Sequence, residues 1–187
     1  MNNKIKIMVL LAFLSLLITV FYFNYFHVKN DYDSITENLQ KEFNKVYNNQ
    51  SIILLNVTDE STTRYHVAFF KNEENVMGYA LMTKGWNFRY KIHSVEFGFK
   101  NDAVVYKVHE INNKKLAVVS VFETNPLLEH VKLQVTDYKT RDLFMLDVHS
   151  IEFYATFAEL TDEQAASSHL LISDINGEDI ELDIYAD

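Results

Sequence analysis

The chain has 187 residues, 48% hydrophobic and 23% charged, with a formal net charge of −9, no cysteine and four glycines. That is room for one domain of ordinary size after any leader, apolar and aromatic enough to bury a core and unlike a disordered chain. The missing cysteine excludes disulfides, a thiol nucleophile, iron–sulfur clusters and cysteine-ligated zinc. No glycine falls in a G-x-x-x-x-G-K-[ST] or G-x-G-x-x-G run, so no nucleotide partner and no cofactor is expected.

Residues 1–29 read as a cytoplasmic stub and a transmembrane signal-anchor. Lys4 and Lys6 precede an uncharged run over residues 7–26, which as a helix reaches about 30 Å, the thickness of a bilayer hydrocarbon core. Tyr22, Phe23, Tyr25 and Phe26 crowd its far end, where amphipathic rings favour the interface. The flank Asn24-Tyr25-Phe26-His27-Val28-Lys29 offers no small-residue cleavage pattern, so an uncleaved anchor is expected over a removed signal peptide. The lysines put the N-terminus in the cytoplasm and the rest outside, a single pass through the cell membrane, although Lys29 weakens the asymmetry. Residues 30–187 keep 14 of the 17 basic residues and all 26 acidic ones, a net charge of −12. Nucleic acid, whose binding depends on neutralising phosphates, is therefore not an expected partner.

Residues 30–187 read as one extracytoplasmic domain. Residues 30–49 form a helix opened by the capping box Ser34-Ile35-Thr36-Glu37, with Ile35, Leu39, Phe43, Val46 and Tyr47 on one face and an end near Asn48-Asn49. Residues 51–187 are β-rich. The predicted strands are Tyr65 to Phe70, Val76 to Met82, Trp86 to Ile92, Val95 to Phe99, Val104 to Val108, Leu116 to Phe122, Val131 to Val135, Leu143 to Val148 and Ile151 to Phe157. Lys71–Asn75 and Asn112–Lys115 are hairpin tips, Asn125-Pro126 is a turn, and with so few glycines asparagine must serve in many turns. Trp86, Phe88, Tyr90 and Ile92 share one face, while Val95, Phe97 and Phe99 fall out of phase with them, so a bulge is required near His93-Ser94. Leu170-Leu171-Ile172 and Ile180-Leu182-Ile184 flank Asn176-Gly177, which predicts a type I′ hairpin. The fold class is mainly β: an antiparallel sandwich or strongly twisted sheet, preceded by one amphipathic helix and the transmembrane helix.

Few residues suggest chemistry. His93-Ser94-Val95-Glu96 and His149-Ser150-Ile151-Glu152 have helical metal-site spacing, but a strand sends residues three apart to opposite faces. Asp174, Asn176, Glu178 and Asp179 form an oxygen-rich cluster that suits calcium if any metal, although the glycine is misplaced for an EF-hand and the charges also serve to block sheet-edge pairing. Trp86, Phe88 and Tyr90 could make an aromatic platform for a sugar-like ligand. The competing expectation is that Trp86 anchors the core of its strand. No G-x-S-x-G or S-x-x-K sequence supplies a catalytic serine, and no catalytic residue is assigned.

The succession His66-Val-Ala-Phe-Phe-Lys71, Gly78-Tyr-Ala-Leu-Met-Thr-Lys-Gly-Trp86, Lys115-Leu-Ala-Val-Val119, His130-Val-Lys-Leu-Gln-Val135 and Ser173-Asp-Ile-Asn-Gly-Glu178 resembles uncharacterised small membrane-anchored or lipoprotein-type exported β-rich proteins of Gram-positive bacilli. The resemblance covers roughly residues 65–180 as spaced patterns and implies location more than activity. The missing lipid-attachment cysteine departs from the lipoprotein versions. The expected function is a non-enzymatic, membrane-anchored domain that binds an envelope protein or wall component. The alternatives are an extracytoplasmic wall-directed hydrolase and an accessory or immunity-type membrane protein.

Overall fold

The computed structural model describes residues 3–47, 50–58, 63–99, 104–122, 131–136, 142–148, 153–173 and 184–186. The chain is mainly β after an N-terminal apolar helix, α1 (Asn3–Tyr25). A second helix, α2 (Tyr32–Val46), precedes β1 (Ile52–Val57), β2 (Tyr65–Asn72), β3 (Met77–Lys84) and β4 (Tyr90–Phe99), an antiparallel sheet in sequential order. A second sheet has the order β11 (Ile184–Ala186), β5 (Val104–Ile111), β6 (Lys114–Val121), β9 (Tyr154–Leu160). A third has β10 (His169–Ser173), β7 (Val131–Thr136) and β8 (Asp142–Val148). A short helix, α3 (Asp162–Ser167), lies between β9 and β10.

The first sheet is buried on both faces, which is why β2 and β3 carry continuous apolar runs. Tyr65, Val67, Phe69, Tyr79 and Leu81 pack against Val105, Leu116 and Val118 of the second sheet and Phe122 just past the end of β6. From the opposite face, Ala68, Phe70, Ala80 and Met82 meet Ile35, Leu39 and Phe43 of α2. The outer face of the second sheet buries Val104, Tyr106, Ala117 and Val119 against Leu170, with Ala165 of α3 packed alongside.

Several local features follow the sequence reading. Leu81 pairs with Ser94 and Met82 with Ile92, which leaves His93 as the extra residue of a β-bulge. A second irregularity at Gly98, φ +109°, lets Met77 pair with Phe99 and Gly78 with Phe97. Asparagine takes the left-handed positions of the turns: Asn75, Asn112 and Asn113 have φ of 60°, 51° and 62°.

Other features correct it. The N-cap of α2 is Asp31, whose carboxylate accepts from Ser34 N–H at 2.8 Å, so the helix starts before the Ser34–Glu37 box. Ser34 Oγ instead accepts from the Lys29 amide, and the aspartate, upstream and equally good as a cap, wins the helix start. Val46 points outward at the last turn. The 86–92 and 95–99 runs form a single strand from Tyr90, with residues 86–88 in the turn before it. The strand of Leu170–Ile172 pairs antiparallel with β7, and Ile184–Ala186 pairs with β5 in parallel, while residues 180–182 of the expected second hairpin arm lie outside the described residues. Alternation marks a strand but not the edge it joins, and β5 presents an edge at Val104–Tyr106. Asn125-Pro126, Asn176-Gly177 and the Asp174–Asp179 cluster lie outside the described residues.

Gly78 sits where a Cβ would lie 2.5 Å from Phe70 Cζ and 2.6 Å from the Glu96 carbonyl oxygen. Both neighbours are held, one in the core and one in the backbone of β4. Gly78→Ala is therefore expected to destabilise the domain by about 1–3 kcal/mol through overpacking, read as a lower denaturant midpoint with unchanged slope.

Candidate functional site

The side chains gathered around the C-terminal end of α1 form the most elaborated polar and aromatic arrangement that the described residues present. The turn between β3 and β4 closes on Gly85, whose N–H donates to the Arg89 carbonyl while its carbonyl accepts from Phe88 N–H. A Cβ at Gly85 would lie 2.6 Å from Tyr22 Oη and 2.8 Å from Phe26 Cγ, so the helix end rests directly on the turn. Trp86 N–H donates to Tyr22 Oη at 2.7 Å, and the two rings lie 4.6 Å apart. Val28 and Tyr90 exchange both backbone hydrogen bonds, at 3.1 and 2.7 Å, as an isolated antiparallel bridge. Three cations lie over rings: Lys91 Nζ 3.7 Å from the Tyr25 centroid, Arg89 Cζ 5.3 Å from that of Phe23, and Lys84 Nζ 5.8 Å from that of Tyr90. At the tip of the β5–β6 hairpin, Asn112 Oδ1 lies 3.5 Å from Tyr25 Oη.

The three aromatics expected to share a strand face separate here. Tyr90 is 3% exposed, in the core with Val28 and Leu39, whereas Trp86 and Phe88 are 69% and 73% exposed on the turn. Trp86 is thus not a core anchor. The reversal at Gly85, with Phe88 at φ 58°, breaks the alternation that would have turned it inward. The docking of α1 on this turn escaped the sequence reading. Its signal was the combination of Lys84, Arg89 and Lys91 with four aromatics at the end of the apolar run, and no acid within 84–91.

The histidines separate as well. His93 Nε2 lies 2.8 Å from Thr83 Oγ1, while Glu96 pairs with Lys107 at 3.0 Å, so the His93–Glu96 spacing makes no metal site. His109 lies buried between the sheets, Nε2 3.0 Å from Tyr79 Oη and Nδ1 3.3 Å from Ser94 Oγ. A neutral imidazole can donate at one nitrogen and accept at the other, which suits two hydroxyl partners. Burial holds the His109 imidazole far below its ordinary value, at about 4, with the nearby Lys107 and His93 charges adding to the effect. His93 is likewise held at about 4, by burial first, then Lys91 and Arg64. Among the described residues no three His, Asp or Glu side chains gather as a metal site. His149 and Glu152 lie outside the described residues.

Two open clefts of about 280 Å³ flank the domain. One is lined by Thr63, Arg64, Tyr65, Leu116, Phe157 and Glu159, the other by residues 30–32, Ile35 and residues 54–57. In the first, Glu159 accepts from Lys114 at 2.7 Å and from Tyr65 Oη at 3.3 Å, and Lys114 draws its carboxyl below the ordinary range. Both fall short of the roughly 300–1,000 Å³ of small-molecule sites, and neither is lined by His93 or His109. Comparisons with protein-family models, with curated proteins and with solved structures found no match.

The buried histidines set a pH dependence. In the unfolded chain an imidazole protonates near 6.5, in the folded domain only near 4. Below pH 6.5 the unfolded state therefore binds protons that the folded state does not, and stability present in full above 6.5 falls until about pH 4. His109→Asn should flatten that fall by on the order of 2 kcal/mol, read from denaturation midpoints between pH 7 and 4. An unchanged profile would show that His109 titrates normally in the folded domain.

Proposed function

We propose that the chain is a single-pass membrane protein whose β-rich domain, outside the cell, binds an envelope protein or wall component without catalysis. The observation that carries the reading is α1 itself. Every residue from Lys4 to Phe21 is exposed, and among the described residues α1 is the one helix long and apolar enough to cross a membrane. Fourteen large apolar side chains between Ile5 and Phe23 face outward. At about 1.5 kcal/mol or more each for exposure to water, they would cost more than the roughly 5–15 kcal/mol that holds a domain folded. Lipid is the solvent that removes this cost, and a helix is the structure that satisfies its own backbone there.

Lys4 and Lys6 support an N-terminus in the cytoplasm, and the resemblance to exported β-rich envelope proteins agrees with the domain lying outside. The two larger sheets, joined by the Phe69–Phe122 core, support an open sandwich as the architecture. A binding role is supported by what the sites offer: hydroxyl-bonded neutral histidines away from either cleft, and shallow clefts with a single carboxylate among the described lining residues, Glu159 in one and Asp31 in the other.

The test is protease treatment of intact cells or spheroplasts carrying a tag after Asp187, together with the mass of the mature chain. Digestion of the tag from outside, with a mass that includes residues 1–30, is the expected result. A protected tag, or release of the domain into the medium without its helix, would contradict the reading.

A further inference from the structure

The hairpin turn that carries Trp86 is tied to α1 at a defined depth. Tyr22, which accepts from the Trp86 amide, is the first residue of α1 after the exposed stretch from Lys4 to Phe21 and stands about one helical turn before Phe26, so the turn meets the helix where its outward-facing apolar stretch ends. Phe26 Cγ and Tyr22 Oη against Gly85, and the Val28–Tyr90 bridge, leave the turn no freedom to lift away from the helix end. At this depth the turn presents the two most exposed large aromatics of the described β-rich region, Trp86 and Phe88, and holds Phe88 in the left-handed region, which a bulky side chain adopts only under constraint. Lys84, Arg89 and Lys91 surround them with no acid between 84 and 91, in a domain that is otherwise strongly acidic.

We propose that residues 84–91 are a second membrane contact: the rings of Trp86 and Phe88 enter the interfacial layer of the leaflet from which α1 emerges, and Lys84, Arg89 and Lys91 face anionic lipid headgroups. This rests on α1 crossing the bilayer. Trp and Tyr are favoured at that level because the ring is apolar and one edge is polar, and each cation near an anionic surface adds attraction. Because the helix end is fixed to the sheet, a lipid contact at this turn restrains the tilt of helix and domain together and holds one face of the domain toward the outside. The β3–β4 tip then faces the lipid, and the far ends of the sheets project outward.

Trp86 is the sole tryptophan of the chain, so its emission reports this turn alone. The full chain is reconstituted in phosphatidylcholine vesicles containing one-quarter phosphatidylglycerol, with bromine on the acyl chains either near the headgroup or near the chain end. The expected result is about a twofold loss of emission with the shallow bromines and a smaller loss with the deep ones. Alkaline extraction of the same vesicles reads α1 separately. A chain that resists extraction while Trp86 is unquenched, or is quenched best by the deep bromines, overturns the proposed interfacial contact and leaves the anchor standing. A chain that is extracted overturns both.

Discussion

The structure depends on a join with no slack. Between the last residue of α1 and the bridge residue Val28 stand only Phe26 and His27, and Val28 is wholly buried against the first sheet. Its two backbone hydrogen bonds to Tyr90 make the exit of the helix part of the sheet. From that point Lys29 N–H donates to Ser34 Oγ, Asp31 caps α2, and α2 lays Ile35, Leu39 and Phe43 onto the sheet at Ala68, Phe70 and Met82. Helix end, cap and core thus form one continuous chain of contacts.

Burial explains why the sheets stack as they do. A sheet with apolar residues on both faces needs two covers, and here the first sheet receives α2 on one side and the second sheet on the other. Two polar clusters are bonded across β3, β4 and β5: His109 bonds to Tyr79 and Ser94, and Lys107 to Glu96. Leaving such groups without partners would cost about 1–3 kcal/mol each, so these bonds fix the relation of β3, β4 and β5 rather than simply decorating it.

The parts legible in the sequence were those with local causes. The stripe of Ile35, Leu39 and Phe43, the phase slip that places a bulge at His93, and the asparagines at Asn75, Asn112 and Asn113 each follow from side-chain period or backbone preference within a few residues. What escaped was set at long range or by competition between local options. Both Asp31 and Ser34 are good caps, and which one starts the helix depends on where Lys29 sits after the bridge. The capping box of α3, Thr161 with Gln164, was present in the sequence but stands on a helix too short to have a period. Trp86, Phe88 and Tyr90 alternate as a strand would, yet Gly85 turns the chain there because Tyr22 and Phe26 occupy the space a side chain would need. The partner edge of Ile184–Ala186 has no signature in its own residues.

The central claim is that the helix end and the sheet are one unit, and amide hydrogen exchange of the full chain in lipid nanodiscs tests it most directly. The Val28 and Tyr90 amides should exchange as slowly as those in the middle of the β3–β4 ladder, because opening them requires parting the helix from the core. Exchange at these two amides at the rate of an open linker, with β3 still protected, would mean that the helix is only a tether.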